Sequence, residues 1–171
     1  MTVTREIRLA TTRDATYLGN MGRRTIRDSL DWSWSPNYVL GKIESADTNV
    51  AVATSAGKII GFAMMKYSLS HAHLQLLAIP AKKSQFGVGD ELVEWLEKIA
   101  LLGGTTFVYV ETHIKDIEAR EFYHRLGYKS VQHIPRFYNG KETAIRLAKE
   151  LRVTSIPFLN NTLKSTAKYY N

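Results

Sequence analysis

"LLAIPAKKSQFGVGDELVEWLEKIA", residues 76–100, decides how the chain is read. An apolar run ends at Ile79, a loop carrying Lys82, Lys83 and Gln85 follows, and Gly87 and Gly89 open the next stretch. Val88, Leu92, Trp95, Leu96 and Ile99 recur at helical spacing, so that stretch has one apolar face. A strand passing through a glycine turn into a helix has a physical use. The first N–H groups of a helix lack intrahelical partners and carry partial positive charge. Glycine lets an anion approach them closely, and phosphate is the usual guest. Gly-x-Gly alone is a weak signal. No Gly-Lys-Ser/Thr follows, which excludes a P-loop, and Leu92 stands where a dinucleotide fingerprint has its third glycine.

Working outward, Glu6 to Ala10 alternates as a strand, and Asp14 is placed to cap a helix bearing Tyr17, Leu18, Met21 and Ile26. A short helix is expected after Pro36. Residues 49–68 read as a hairpin around Ser55-Ala56-Gly57. "HAHLQLLAIP" (71–80) is a strand whose apolar end suggests burial on both faces. Gly103-Gly104 stops the long helix. "TTFVYVET" (105–112) is a strand, and residues 116–127 form a helix capped by Asp116 and closed by Gly127. Two late segments, 128–135 and 142–151, read as extended, although propensity alone also allows a helix for the second. The order β, α, α, β, β, β, α, β, α, β, β packs as a mixed sheet with helices on its faces, an α/β (α+β) fold.

The chain has 171 residues, 44% of them apolar, enough for one domain with a real core. Without cysteine it has no disulfide, thiolate zinc site or cysteine nucleophile. It has no run of about 18 apolar residues and no signal-like start, so a cytoplasmic protein without a membrane span is expected. The net charge of +7 favours anionic partners, but no block of about five like charges marks a nucleic-acid arm. Arg152, Lys164 and Lys168 make residues 152–171 a basic tail without an acid. It reads as a packing or homodimer segment, and nucleic acid is not an expected partner.

Two blocks together carry a family resemblance. Residues 76–100 resemble motif A of the GNAT superfamily of N-acetyltransferases, a strand ending in L-A-V and then Q/R-x-x-G-x-G/A and a helix. Leu77-Ala78-Ile79, Gly87 and Gly89 match, and Ser84 departs from the usual Gln or Arg. "VETHIKDIEAREFYHRLGYKSV" (110–131) resembles motif B, with Glu111, Ala119, Phe122, Tyr123, Gly127 and Tyr128 in place and Asp116 where Asn is usual. Residues 133–151 look like the closing hairpin. The likeness is nearest in type to the ribosomal-protein and N-terminal protein acetyltransferase branch. It implies one acetyltransferase domain, residues 1–151, with a bent, mostly antiparallel mixed sheet and helices on both faces. It also implies acetyl-CoA as donor, seated between the strand at 74–79 and the strand at 106–111. The pantetheine would pair with the exposed strand edge near Leu77, Ala78, Ile79 and Asp116. The pyrophosphate would sit on the backbone of Gln85, Phe86, Gly87, Val88, Gly89 and Asp90.

The implied reaction is direct transfer of acetyl to an amine, either a protein N-terminus or a small-molecule amine. An ammonium has no lone pair, so a base is needed, and the departing thiolate benefits from an acid. The resemblance assigns these roles to Glu111 and Tyr123, Tyr123 also touching the cofactor. Read without it, Glu111 is a strand-end carboxylate open to pairing with Arg120 or Arg125, and Tyr123 a core phenol. Trp32, Trp34, His73 and Tyr138 are candidate acceptor contacts. His71 and His73 share a strand face but have no third ligand, so no metal is expected. The competing reading is a non-catalytic acyl-CoA-binding module of the same fold.

Overall fold

The computed structural model describes residues 4–25, 34–80 and 87–152. Strands β1 (Arg5–Leu9), β2 (Thr48–Ser55), β3 (Lys58–Tyr67), β4 (Ala72–Ala78), β5 (Phe107–His113), β6 (Lys129–Tyr138) and β7 (Glu142–Glu150) form one sheet in the order β1-β2-β3-β4-β5-β7-β6. Among the described strands only the β4–β5 pairing is parallel; the other neighbours are antiparallel. Helices α1 (Ala15–Thr25) and α2 (Pro36–Glu44) cover one face; α3 (Val88–Leu102) and α4 (Ile117–Arg125) cover the other. The segment at 142–151 is therefore a strand. Its antiparallel pairing with β5 on one side and β6 on the other outweighs its helix propensity. Ile26, Trp32 and the tail beyond Arg152 lie outside the described residues.

Asp14 does not cap α1. It is the last residue of a short 3-10 turn, Thr12–Asp14, that leads into the helix. Its carboxylate reaches back to the Thr11 N–H at 2.7 Å and pairs with Arg8 at 2.8 Å. That is the N3 side of a capping box, so the helical region begins three residues earlier than a lone Asp cap implies.

The core is double, and β4 belongs to both halves. Ala72 and Leu74 join the cluster under α3, whereas Leu76 and Ala78 join the cluster under α1 and α2. Strict alternation would put all four on one face. The register supplies the switch: Met65 faces Leu74 while Met64 faces Leu76, so Gln75 is an extra residue in a bulge. Beyond it, Leu77 and Ile79 turn toward the α3 side and pack there partly buried. The strand is thus covered on both faces at its end, as its composition suggests. The bulge also ends the pairing with β5, which is confined to Ala72–Val108 and His73–Tyr109. From Leu74 onward the edge of β4 that faces β5 has no strand partner.

One polar group is buried beneath α3. Glu97, 6% exposed, accepts from the Tyr128 hydroxyl at 2.8 Å and pairs with Lys149 at 2.7 Å. The contact ties α3 to β7 and to Tyr128, the residue just before β6. Removing one partner of such a buried pair costs about 3–5 kcal/mol. Glu97→Leu is expected to lose about 3 kcal/mol in urea unfolding with an unchanged slope, and adding Lys149→Met should recover part of that loss.

Candidate active site

Two continuous cavities occupy the gap that the bulge opens. One, about 760 Å³, runs over the start of α3 and along α4; its lining includes Leu77, Ile79, Gly87, Gly89, Asp90, Asp116, Phe122, Tyr123 and Arg125. The other, about 560 Å³, is lined among others by Trp34, Gln75, Leu77, Glu111, His113, Asp116, Tyr123 and Tyr138. They share Thr25, Leu77, Asp116, Glu118, Ala119 and Tyr123.

The glycines of the turn have different reasons to be there. Gly87, the residue before α3, has φ of +70°, and an added Cβ would meet nothing within 4 Å. Its requirement is conformational, and the space before it is open. Gly89 is buried, and its Cβ would lie 3.1 Å from two atoms of the Phe122 ring. Its requirement is the close approach of α3 to α4. The first intrahelical bond is from Glu91 N–H to the Gly87 carbonyl, which leaves the earlier N–H groups of α3 for an anion. Asp90 sits in this first turn with Arg125 at 2.8 Å, so its charge is compensated where an anion would approach. Val88 and Ala78 are turned into the core, while Leu77 and Ile79 line the gap. A thioester on a pantetheine arm, whose amides can pair with a strand edge and whose methylenes can lie on apolar side chains, together with a pyrophosphate, fits this combination of open strand edge, apolar wall and helix start. Gln85, Phe86, Ser84 and Trp32 lie outside the described residues.

Glu111 sits at the far end of the gap with its side chain 5% exposed. Its partners are neither Arg120 nor Arg125. Arg120 donates to the Ile114 carbonyl and Arg125 pairs with Asp90. One Glu111 oxygen, Oε2, meets His73 Nε2 at 2.6 Å; the other, Oε1, accepts from Arg146 through Nε and Nη2, both at 2.7 Å. Cross-strand register makes this possible, since Arg146 of β7 lies directly opposite Glu111. Tyr109 supports both partners: His73 stacks on its ring at 4.4 Å and the Arg146 guanidinium lies over it at 4.7 Å. Burial alone would raise the Glu111 carboxyl. The hydrogen bond and charge of His73, followed by those of Arg146, outweigh burial and hold the carboxyl below its ordinary value. His73 therefore contacts Glu111 rather than lining the gap.

Tyr123 is 6% exposed and lines both cavities. Burial raises its phenol well above the ordinary value, and the nearby Asp116 and Tyr138 push it further. The phenol is protonated at neutral pH. Asp116 caps α4, accepting from the Ala119 N–H at 2.9 Å, which is its structural duty. Tyr138 stacks on His113 at 5.5 Å, and His113 meets Glu142 at 3.1 Å. Trp34 packs edge-on against Tyr38, and its indole Nε1 is buried without a partner. Among the described residues no group of three or more His, Asp or Glu is placed to hold a metal ion. No described helix is long and apolar enough to cross a membrane.

Val110 and Tyr123 belong to the cluster under α3, while alternation along β5 turns Glu111 to the opposite face. A carboxylate and a phenol thus line the same cavity from opposite faces of the sheet. Since the folded carboxyl of Glu111 titrates below its unfolded counterpart, its ion pairs stabilise the fold above the unfolded value and lose that contribution as pH falls through the folded one. Glu111→Gln is expected to lower the urea midpoint at pH 7 by the equivalent of about 1–3 kcal/mol. The gap to wild type should narrow as pH falls below the ordinary glutamate value of about 4.3, where the unfolded chain takes up a proton before the folded one; a constant gap down to pH 3 would contradict the pairing.

The acetyltransferase (GNAT) family model matches residues 16–128, more than half of the chain. An uncharacterised N-acetyltransferase of Methanocaldococcus jannaschii is 23% identical over 125 residues, covering 72% of this chain and 80% of that protein. The aminoalkylphosphonate N-acetyltransferase of Salmonella typhimurium is 26% identical over 131 residues, 72% and 84% of the two chains. In fold, the chain is similar to the ribosomal-protein-S18-alanine N-acetyltransferase of Escherichia coli, with TM-score 0.76, 21% identity and 86% and 94% coverage. It is similar too to an N-acetyltransferase of Thermoplasma acidophilum solved with coenzyme A, with TM-score 0.73, 19% identity and 84% and 98% coverage. An open strand edge, a glycine turn before a helix and a buried phenol are thus found in a chain that belongs to the GNAT family, an acetyl-CoA-dependent N-acetyltransferase.

Proposed function

We propose that the chain transfers acetyl directly from acetyl-CoA to a primary amine, with Glu111 receiving the amine proton and Tyr123 donating to the departing thiolate. The observation that carries this reading is the placement of an ionised Glu111 and a protonated Tyr123 across the same split in the sheet. The amine nitrogen forms its bond to the acetyl carbon while the carbon–sulfur bond breaks. The amine proton passes to Glu111, directly or through water. The thiolate accepts from the Tyr123 hydroxyl. A thiol titrates near 8.5 and this phenol well above 10, so full proton transfer is uphill and the phenol acts chiefly as a hydrogen-bond donor to the growing charge.

An α-amine, near 8, gives up its proton more readily than an alkylamine, near 10.4, whatever the base. The difference corresponds to roughly 3 kcal/mol. This supports a polypeptide N-terminus or another α-amine over a polyamine. The related aminoalkylphosphonate enzyme acts on an acceptor bearing an anionic group, yet the described residues of the inner cavity include Glu111, Asp116 and Glu118 and neither Lys nor Arg.

Thiol release measured over a panel of amines tests the reading. Tyr123→Phe is expected to lower kcat about 100-fold while acetyl-CoA binds within a few-fold of wild type. Glu111→Gln is expected to lower kcat/KM most below pH 8, where the amine is mostly protonated. Lost acetyl-CoA binding in Tyr123→Phe would make it a packing residue, and unchanged turnover in Glu111→Gln would remove it from the proton path.

A further inference from the structure

Among the described residues, Gln75 Oε1 and Trp34 Nε1 are buried without hydrogen-bond partners, and both residues line the inner cavity with Glu111. A buried polar atom left unpaired costs about 1–3 kcal/mol, so its partner is worth identifying. The two atoms are complementary: Trp34 offers only a donor and the Gln75 carbonyl only an acceptor. Both are held in place. Trp34 packs edge-on against Tyr38 and lies close to Gly22 on α1. Gln75 is the extra residue of the β4 bulge, so its position follows from the switch between the two cores.

We infer that Gln75 and Trp34 read the first peptide unit of the acceptor, its carbonyl accepting from Trp34 and its N–H donating to Gln75. This rests on the acetyl-transfer reading above and narrows its acceptor. A peptide unit next to an α-amine carries one acceptor and one donor of fixed polarity, which is what the two orphaned atoms require. It is neutral, in keeping with the absence of Lys and Arg among the described lining residues. A protonated alkylamine or polyamine can donate to the Gln75 carbonyl but has no acceptor for the Trp34 N–H, so it satisfies one atom of the two. An aminosugar hydroxyl could satisfy either, but it would not depend on an N–H at one position.

The test compares a short alanine-terminated peptide amide with the analogue in which an ester oxygen replaces the first peptide N–H. Acetyl transfer to each is measured as kcat/KM. Wild type is expected to favour the peptide by about tenfold or more, the loss an analogue suffers when a buried acceptor goes unpaired. In Gln75→Leu that ratio should fall close to one. In Trp34→Phe both kcat/KM values should fall together with the ratio kept, since both compounds retain the carbonyl. Thermal unfolding of Gln75→Leu should be at or above wild type, because the unpaired carbonyl is gone; Gln75→Met is the second variant. A wild-type ratio near one, or a ratio preserved in both Gln75 variants, overturns the inference while leaving amine acetylation standing. Efficient transfer to an aminosugar with poor transfer to the peptide overturns it too. Bound acetyl-CoA with transfer to no amine at all would instead overturn the functional reading, and this inference with it.

Discussion

One strand has to serve two cores. β4 contributes Ala72 and Leu74 to the cluster beneath α3 and Leu76 and Ala78 to the cluster beneath α1 and α2. A regular strand alternates with period two and cannot move its apolar set from one face to the other without an extra residue. Gln75 is that residue, and the rest of the site depends on it. The bulge bends β4 away from β5 and ends their pairing after two residue pairs. The gap then has an unpaired backbone edge on one side, which an extended ligand can join as an added strand.

The opposite wall of the gap is governed by charge. Glu111 is nearly sealed from solvent, a position that would ordinarily favour the neutral acid. Arg146 and His73 reverse that preference, and Tyr109 holds both in place by stacking. The arrangement fixes the carboxylate in orientation and keeps it ionised, at the expense of basicity. Tyr123 has no such compensation; burial keeps its proton on. Two titratable groups with environments that push in opposite directions supply an acceptor and a donor of hydrogen bonds at one neutral pH.

Much of this was legible in the sequence, and the exceptions are instructive. Helical spacing in residues 88–100 and alternation in 105–112 follow from local burial patterns, so the element order could be read along the chain. Gly87, Gly89, Glu111 and Tyr123 stood out because two short blocks resemble family motifs in the right order. Arg146 could not be found that way. It meets Glu111 only through the register of β5 on β7, a pairing of residues 35 positions apart. Gln75 was equally hidden, because a bulge is a property of the pairing with β3 and not of the composition of β4. The Asp14 cap misled for a local reason: Thr11 precedes it at capping-box spacing, so Asp14 serves as the third residue of the turn.

Hydrogen exchange with and without acetyl-CoA tests the central claim, that the bulge exposes a strand edge for the donor. The edge of β4 toward β5 is paired as far as His73 and open beyond it. Added acetyl-CoA is expected to slow exchange in peptides covering residues 75–80 and 87–91 and to leave residues 72–74 unchanged. Protection appearing elsewhere, with no change at 75–80, would contradict the account.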